Sequence, residues 1–217
     1  MQLFYSPAAC SISSHLILEE VGQPFATARV SSKQGGTQTD AFLRLNPKGK
    51  VPVLVRDDGS VVTETPVILQ LIARMYPERG LLPTDLLREF DALQICEYLS
   101  NTVHNFGLTR LFRPQLFCAH EEHWDEVRKQ GEQVLRKAFD LIAPRLASGP
   151  HLFDEFSIAD AALFFFELHA SRLQISMPPA VRAHFERLMR RPSVQRTLAT
   201  EELNLAEFLP DPAPSGA

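Results

Sequence analysis

Cysteine is scarce in this 217-residue sequence, and its three cysteines (Cys10, Cys96 and Cys118) include no Cys-x-x-Cys pair. An odd number of widely spaced cysteines argues against both a disulfide framework and a cysteine-ligated zinc site. The chain also lacks a Gly-rich phosphate loop and a dinucleotide-binding fingerprint. Its most apolar uninterrupted run, 161–166, is far too short to cross a bilayer, which excludes a transmembrane helix there.

An excess of charge of one sign is likewise missing. The net charge is −4 and the pI is near 6.0, so composition points to neither nucleic acid nor an anionic membrane. A hydrophobic content of 45% with 22% charged residues is typical of a globular protein. Met1 leads directly into a predicted strand, which indicates that no signal peptide is present. We therefore expect a cytoplasmic protein without nucleic-acid or membrane partners.

The first third of the chain alternates predicted strands and helices. Residue patterns predict strands at 2–5, 25–30, 53–56 and 60–63 and helices at 11–21, 39–45 and 66–76. Asp57-Asp58-Gly59 is a strong hairpin-turn signal between the last two strands. The order βαβ followed by ββα predicts a mixed four-stranded sheet with helices on its faces.

The chain after a turn-rich linker at 76–84 is predicted to be entirely helical. Ser157 is expected to be an N-cap that Asp160 caps reciprocally, and the helix that follows is apolar almost all round. That helix should therefore be central and buried. We expect an α/β domain at 1–77, an all-α domain at 86–209 and a loose tail at 210–217.

Cys10 lies where the first strand turns into the first helix, which we expect to end at Gly22. The helix N-terminus favours a thiolate, so the pKa of Cys10 is predicted to fall below the usual value of about 8.5. This arrangement is how a thioredoxin-type fold presents reactive sulfur, whereas the alternative is a small buried core residue. Ser13 stands where a dithiol oxidoreductase needs its second cysteine, so any redox cycle would rely on an outside thiol.

Two further segments have the chemistry to hold a peptide ligand. If the Val51–Pro52 bond is cis, the Val51 N–H and C=O would face Cys10 and could pair with an extended peptide. Spacing alone leaves that isomer open, because only about 5–6% of X–Pro bonds are cis. The Thr65 hydroxyl and nearby N–H groups suit a carboxylate, and Glu64 suits an ammonium. The alternative is a simple helix start with a capping threonine and an acidic neighbour.

His120-Glu121-Glu122-His123 invites a metal interpretation. The zinc-protease helix needs histidines four residues apart, and here they are three apart. A solvated, charged first helical turn explains the segment better. We expect no metal.

Several motifs spread over nearly the whole chain occur together in one family. They are Leu3-Phe4-Tyr5-Ser6-Pro7-x-x-Cys10-Ser11, Asn46-Pro47-x-Gly49-x-Val51-Pro52-x-Leu54, Asp58-Gly59 with Thr63-Glu64, His104 with Phe106, Phe156-Ser157-Ile158-Ala159-Asp160-Ala161 and Arg191-Pro192-Ser193-Val194-Gln195. With these motifs the chain resembles the bacterial beta-class glutathione transferases. The resemblance implies a thioredoxin-like domain joined to an all-helical domain, assembled as a homodimer.

The resemblance also implies catalytic roles for two residues. Cys10 would face the sulfur of glutathione, the co-substrate, and could form a mixed disulfide with it. His104 would enter from the helical domain as a hydrogen-bond donor or proton relay. Tyr5 matches a family tyrosine that is secondary to the cysteine in this class.

The same resemblance places glutathione along one edge of the site. Val51 would pair with its cysteinyl unit, with cis Pro52 setting the geometry. Glu64 and Thr65 would hold the γ-glutamyl end, and Lys33 would reach the glycine carboxylate unless it is simply a solvated lysine. A small hydrophobic electrophile would lie against helical-domain side chains such as Phe106, Leu108, Phe112 and Phe117.

The chain departs from the family pattern at several positions. Thr65 replaces a usual serine but keeps the hydroxyl, Asn105 replaces a common lysine, and Glu97 replaces a usual asparagine. Asn101 would supply some of the lost polar contacts. Two activities remain open, conjugation of glutathione and thiol–disulfide exchange through Cys10. The alternative is a non-catalytic protein that binds ligands or partners on the same fold.

Overall fold

A four-stranded mixed sheet forms the first part of the molecule. Its strands are β1 (Gln2–Tyr5), β2 (Ala26–Arg29), β3 (Val53–Val55) and β4 (Val61–Thr63), in the spatial order β2-β1-β3-β4. β1 and β2 are parallel and the other pairs are antiparallel, which confirms the predicted mixed sheet. The computed structural model describes residues 1–209, so the predicted loose tail at 210–217 lies outside the described residues.

Three helices flank the sheet at the predicted places. They are α1 (Ser11–Val21), α2 (Asp40–Leu45) and α3 (Thr65–Met75). Gly22 ends α1 as expected. Its φ of +73° is a left-handed conformation that glycine adopts readily, and its N–H donates to the Leu18 carbonyl. Gly59 forms the hairpin turn between β3 and β4 with a φ of +80°.

The rest of the described chain is helical. Its helices are α4 (Leu86–Glu97), which continues as a π-helical stretch (Tyr98–Leu108) into α5 (Thr109–Phe112), then α6 (Trp124–Ala147), α7 (Ile158–Arg172), α8 (Pro179–Met189), α9 (Pro192–Thr200) and α10 (Leu205–Phe208). Between residues 1 and 209, no helix combines the length and apolar character needed to cross a bilayer. α7 is buried from Ile158 to Ala170, as its apolar composition predicted.

The start of α7 is tied down by a capping box. The Ser157 amide donates to Asp160 Oδ2 at 2.8 Å, and Ser157 Oγ accepts from the Ala159 amide at 3.3 Å, which confirms the predicted cap. His184 lies between Asp160 (3.0 Å) and Glu167 (2.7 Å), and all three side chains are fully buried. Burial alone would lower the pKa of His184, but the two carboxylates outweigh it and raise the pKa to about 10.

Helix α1 joins the sheet to the helical part. It packs against β1 and α3 of the sheet part and against α7 and α9 of the helical part. At its far end the Arg191 guanidinium holds both oxygens of Glu20, and the Ser193 hydroxyl donates to the same carboxylate at 2.6 Å. The start of α1 therefore has a defined position relative to both parts of the molecule.

The π-helical stretch lies very close to α6. The two cross at Gly107 and Gly131, where a side chain on Gly131 would have its Cβ 2.7 Å from the Gly107 carbonyl oxygen and 2.9 Å from Arg110 Cβ. Only the absence of a side chain at Gly131 permits this approach. Because the same stretch carries His104, the crossing helps to set the place of that histidine.

We expect Gly131→Ala to lower the melting temperature by several degrees. Overpacking costs about 1–3 kcal/mol, and the preference of alanine for helices offsets about 1 kcal/mol of it. The matched control is Gly149→Ala, where the nearest atom to an added Cβ is 4.0 Å away. Thermal unfolding followed by circular dichroism measures both. A Gly131→Ala variant as stable as the parent chain would contradict the crowded crossing.

Candidate active site

A small cleft opens between the start of α1 and the helical part. The residues that line it come from both parts: Cys10, Ser13, Thr65, Leu99, Ser100, His104, Ala162, Phe165 and Phe166. Three of the residues singled out from the sequence, Cys10, Thr65 and His104, thus meet in one place. The cleft combines a thiol, hydroxyls and an imidazole with an aromatic wall.

Cys10 directly precedes α1 and is half-buried. Its thiol donates to the Val51 carbonyl, with Sγ and O 3.6 Å apart, and the Val51–Pro52 bond is cis. The Val51 carbonyl therefore faces Cys10, as the sequence allowed. Thr65 hydrogen-bonds to the same thiol from the start of α3.

The predicted fall in the pKa of Cys10 is wrong for the free protein. Removal of the sulfur from water raises the pKa, and the hydrogen bond from Thr65 offsets only part of that rise. Nearby charges oppose each other, since Glu64 raises the pKa of the thiol and Lys50 lowers it. A helix N-terminus favours the anion, but here burial is the larger effect, and Cys10 is a protonated hydrogen-bond donor at neutral pH.

His104 reaches the cleft from the π-helical stretch. Its ring stands edge-on to Phe165, with the ring centres 5.3 Å apart. Burial, with smaller contributions from Lys50 and Arg113, lowers the pKa of His104 to about 4. The imidazole is therefore neutral at physiological pH and offers one N–H donor.

Glu64 and Thr65 mark the start of α3. Glu64 has a φ of +76°, a conformation that a non-glycine residue seldom adopts, and its exposed carboxylate forms an ion pair with Lys48. Thr65 lines the cleft, whereas Glu64 does not. The hydroxyl and the free N–H groups of the first turn are thus available to an anion next to Cys10.

Six predicted site residues are not among those that line the cleft: Tyr5, Lys33, Val51, Pro52, Glu64 and Asn101. Tyr5 is buried and its hydroxyl donates to the Thr200 carbonyl at 3.2 Å, so it points to α9. Lys33 is exposed on the loop after β2. Asn101 is exposed on the π-helical stretch, where its amide donates to Glu97 at 2.5 Å.

Several lining residues were not predicted from the sequence. Ser100 and Phe165 belong to the cleft, but Phe165 falls within an apolar run that reads only as core. No local pattern separates it from its neighbours. Its role depends on which side of α7 meets His104, which is a property of packing.

A larger open groove of about 520 Å³ lies between β1, β2 and α2. Its lining is mostly apolar. Among the described residues that line this groove, Arg29 is the only charged one. None of the residues predicted to act in chemistry borders it. The Cys10 cleft, although smaller, is therefore the candidate active site.

One cluster elsewhere has the side chains for a metal. Nitrogen and oxygen atoms of His151, Asp160 and His184 lie within 4.8 Å of one another. Asp160 Oδ1 already accepts from the Leu152 amide at 2.9 Å and bonds to His184 at 3.0 Å, while Oδ2 serves the capping box. Hydrogen bonds within the protein thus satisfy both oxygens of the Asp160 carboxylate without a metal ion.

The sheet domain, with a thiol at the start of α1 facing a helical domain, has the fold of a glutathione transferase. Residues 9–75 match the glutathione S-transferase N-terminal domain, and residues 100–192 match the glutathione S-transferase C-terminal domain. The glutathione S-transferase GstA of Escherichia coli O157:H7 is 34% identical over 209 residues, which cover 94% of this chain and 100% of that protein. The chain therefore belongs to the glutathione S-transferase family.

Solved structures agree with this assignment. The glutathione S-transferase of Xylella fastidiosa superposes with a TM-score of 0.85 at 26% identity and covers 93% of this chain and 98% of its own. The bacterial beta class glutathione S-transferase of Sphingomonas chungbukensis gives a TM-score of 0.77 at 30% identity, over 93% of this chain and 98% of its own. The predicted fold class is confirmed.

We expect Cys10 to be alkylated slowly at pH 7 in the free protein. The pH at which its alkylation rate is half-maximal should lie above the ordinary thiol pKa of about 8.5. The thiolate is the reacting form, so a raised pKa moves the rise of the rate to higher pH. Iodoacetamide labelling across pH, in a Cys118→Ser background, measures it. Cys10→Ser is the control that assigns the signal. A midpoint below 8.5 would contradict burial as the dominant effect.

Proposed function

We propose that this protein is a beta-class glutathione transferase that joins glutathione to small hydrophobic electrophiles. The observation that carries the proposal is the cleft in which Cys10, Thr65 and His104 meet beside the Val51 carbonyl. Family membership supports the reaction, and the solved beta class relative supports the class. A cysteine at the start of α1, rather than a buried structural cysteine, is what the class requires.

In the proposed reaction the glutathione thiol loses its proton to solvent and its sulfur attacks the electrophilic carbon. A carbon–sulfur bond forms, and the leaving group departs with the electron pair of the bond that breaks. The Cys10 S–H and the neutral His104 N–H are two donors that could stabilise the glutathione thiolate. Holding both reactants in the cleft contributes the remaining acceleration.

The state of Cys10 favours conjugation over exchange at neutral pH. A protonated Cys10 donates a hydrogen bond to the thiolate, which conjugation needs. Exchange instead requires the Cys10 thiolate to attack a disulfide, form a Cys10–glutathione disulfide and release the other sulfur as a thiolate. A second glutathione thiolate would then attack the glutathione sulfur of that adduct, which yields glutathione disulfide and frees Cys10. We therefore assign conjugation as the main activity.

Glutathione is proposed to lie along the edge formed by Val51 and the start of α3. Val51 would pair with the cysteinyl unit, and Thr65 would take the γ-glutamyl carboxylate. Glu64 would bind the ammonium after exchanging its present partner Lys48. Lys33 is proposed for the glycine carboxylate. Tyr5 is omitted from this set because its hydroxyl is engaged by Thr200.

We further propose a homodimer across the surface of α3 and α4. Exposed apolar side chains gather there, including Val67 (47% exposed), Leu87 (76%) and Phe90 (54%). Glu97, at the end of α4, and Asn101, on the π-helical stretch that follows, would face the partner subunit. The cysteines at positions 10, 96 and 118 are all free, which supports a reducing compartment such as the cytoplasm.

Variants of Cys10 separate the two reactions. Cys10→Ser keeps a donor, so we expect it to retain conjugation of glutathione with an aryl halide. Cys10→Ala loses a hydrogen bond to an anion, worth about 1.5–3 kcal/mol, and should slow conjugation by about tenfold or more. Both variants should abolish reduction of a glutathione mixed disulfide.

Steady-state kinetics with the aryl halide and with the glutathione mixed disulfide measure conjugation and exchange in each variant. Full disulfide exchange by Cys10→Ser, or conjugation by Cys10→Ala at the parent rate, would contradict the assigned role. A parent protein that binds glutathione by calorimetry but converts no electrophile would instead favour the binding-protein alternative.

The dimer proposal is tested by mass in solution. We expect the parent chain to sediment at twice its 24.4 kDa mass. Phe90→Glu places a charge on the proposed apolar surface and should yield monomers. Leu141→Glu, at an exposed leucine of α6, is the matched control and should leave the dimer intact. A monomeric parent, or a dimeric Phe90→Glu variant, would contradict this interface.

A further inference from the structure

The turn that leads into Cys10 is held by side chains from the far end of the chain. Ala8 has a φ of +55°, which a non-glycine residue seldom adopts. Its N–H donates to Glu201 Oε2 at 2.9 Å, and its C=O accepts from His169 Nε2 at 2.8 Å. Both backbone groups of one strained residue are thus fixed by buried side chains of the helical part.

Glu201 also holds helix α1 itself. Its second oxygen, Oε1, bonds to His15 Nδ1 at 3.0 Å, and both side chains are completely buried. Burial raises the pKa of Glu201, and the contacts with His15 and the Ala8 amide lower it again in part. A single carboxylate therefore links the residue two before Cys10 to the helix that begins just after it.

His169 contacts the aromatic wall of the cleft as well. Its ring stands edge-on to Phe165 at 4.9 Å and to Phe112 at 5.0 Å between ring centres. Phe165 lines the Cys10 cleft, and Phe112 is 42% exposed. Burial lowers the pKa of His169 to about 4, so the ring is neutral. Because a carbonyl can only accept, Nε2 must carry its proton.

We propose that Glu201 and His169 are positioning residues that fix the Ala8 turn and thereby hold the Cys10 sulfur against Val51 and Thr65. This inference rests on the proposed function only for its catalytic consequence. Through Phe165 and Phe112, His169 also joins the wall proposed for the electrophile to the turn that carries the thiol. Neither residue touches the reacting atoms in this arrangement.

The test uses variants that remove one bond at a time. His169→Phe keeps an aromatic ring between Phe112 and Phe165 but removes the donor to the Ala8 carbonyl. Glu201→Ala removes both bonds of the carboxylate. Glu201→Gln keeps an oxygen for the Ala8 amide and offers an N–H to His15, so it should rescue. Glu202→Ala is the matched control, because Glu202 is exposed and pairs with Arg29.

The first measurement is the pH profile of Cys10 alkylation by iodoacetamide in a Cys118→Ser background, at a temperature where every variant is folded by circular dichroism. Release of the turn should hydrate the thiol and lower its alkylation midpoint in His169→Phe and Glu201→Ala. Each unit of that shift gives about a tenfold faster reaction at pH 7. Glu201→Gln and Glu202→Ala should keep the parent profile. If Glu201→Ala does not fold, His169→Phe and Glu201→Gln decide the outcome.

The second measurement is the conjugation rate with saturating electrophile. We expect kcat/KM for glutathione to fall about tenfold in His169→Phe and Glu201→Ala. Variants that are less stable but keep the parent alkylation profile would overturn the positioning role and leave a structural one. Loss of conjugation in every protein, the parent included, would refute the proposed function alone, because the alkylation profile needs no turnover.

Discussion

The burial of helix α1 between the sheet and the helical domain is the constraint on which the site depends. Apolar side chains such as Ile12 and Leu16 are completely buried, but so are the polar side chains of Ser11 and His15. Polar groups in such a place need partners, and those partners are Ser6, in the turn after β1, and Glu201, just after α9. The start of the helix, and the thiol at that start, is consequently built by two domains together.

The electrostatics of the cleft follow from the same burial. Cys10 and His104 both lose water, which keeps the thiol protonated and the imidazole uncharged. Charged groups such as Lys50, Arg113 and Glu64 act from outside the lining. The free protein thus offers neutral hydrogen-bond donors at the point where an anion would form, and charge is introduced only with the ligand.

Local patterns predicted most of the fold but only part of the site. Turn and cap signals at Gly22, Gly59 and Ser157 act over a few residues, so the sequence displays them directly. The pKa of Cys10 could not be predicted in this way, because desolvation by distant chain segments outweighs the helix N-terminus. Tyr5 was assigned to the glutathione site by resemblance, but its hydroxyl donates to the carbonyl of Thr200, which lies 195 positions away in the chain. The π-helical winding around His104 likewise has no local signature.

The link from Ala8 to Glu201 has a consequence for biosynthesis. Translation delivers the N-terminal domain first, and Glu201 leaves the ribosome only when nearly all of the described chain has been made. Until then the nascent turn before Cys10 lacks the carboxylate that accepts a hydrogen bond from the Ala8 amide. Completion of α9 and of the residues just after it is therefore the event that fixes this turn, so the order of synthesis separates folding of the sheet from completion of the turn before the thiol.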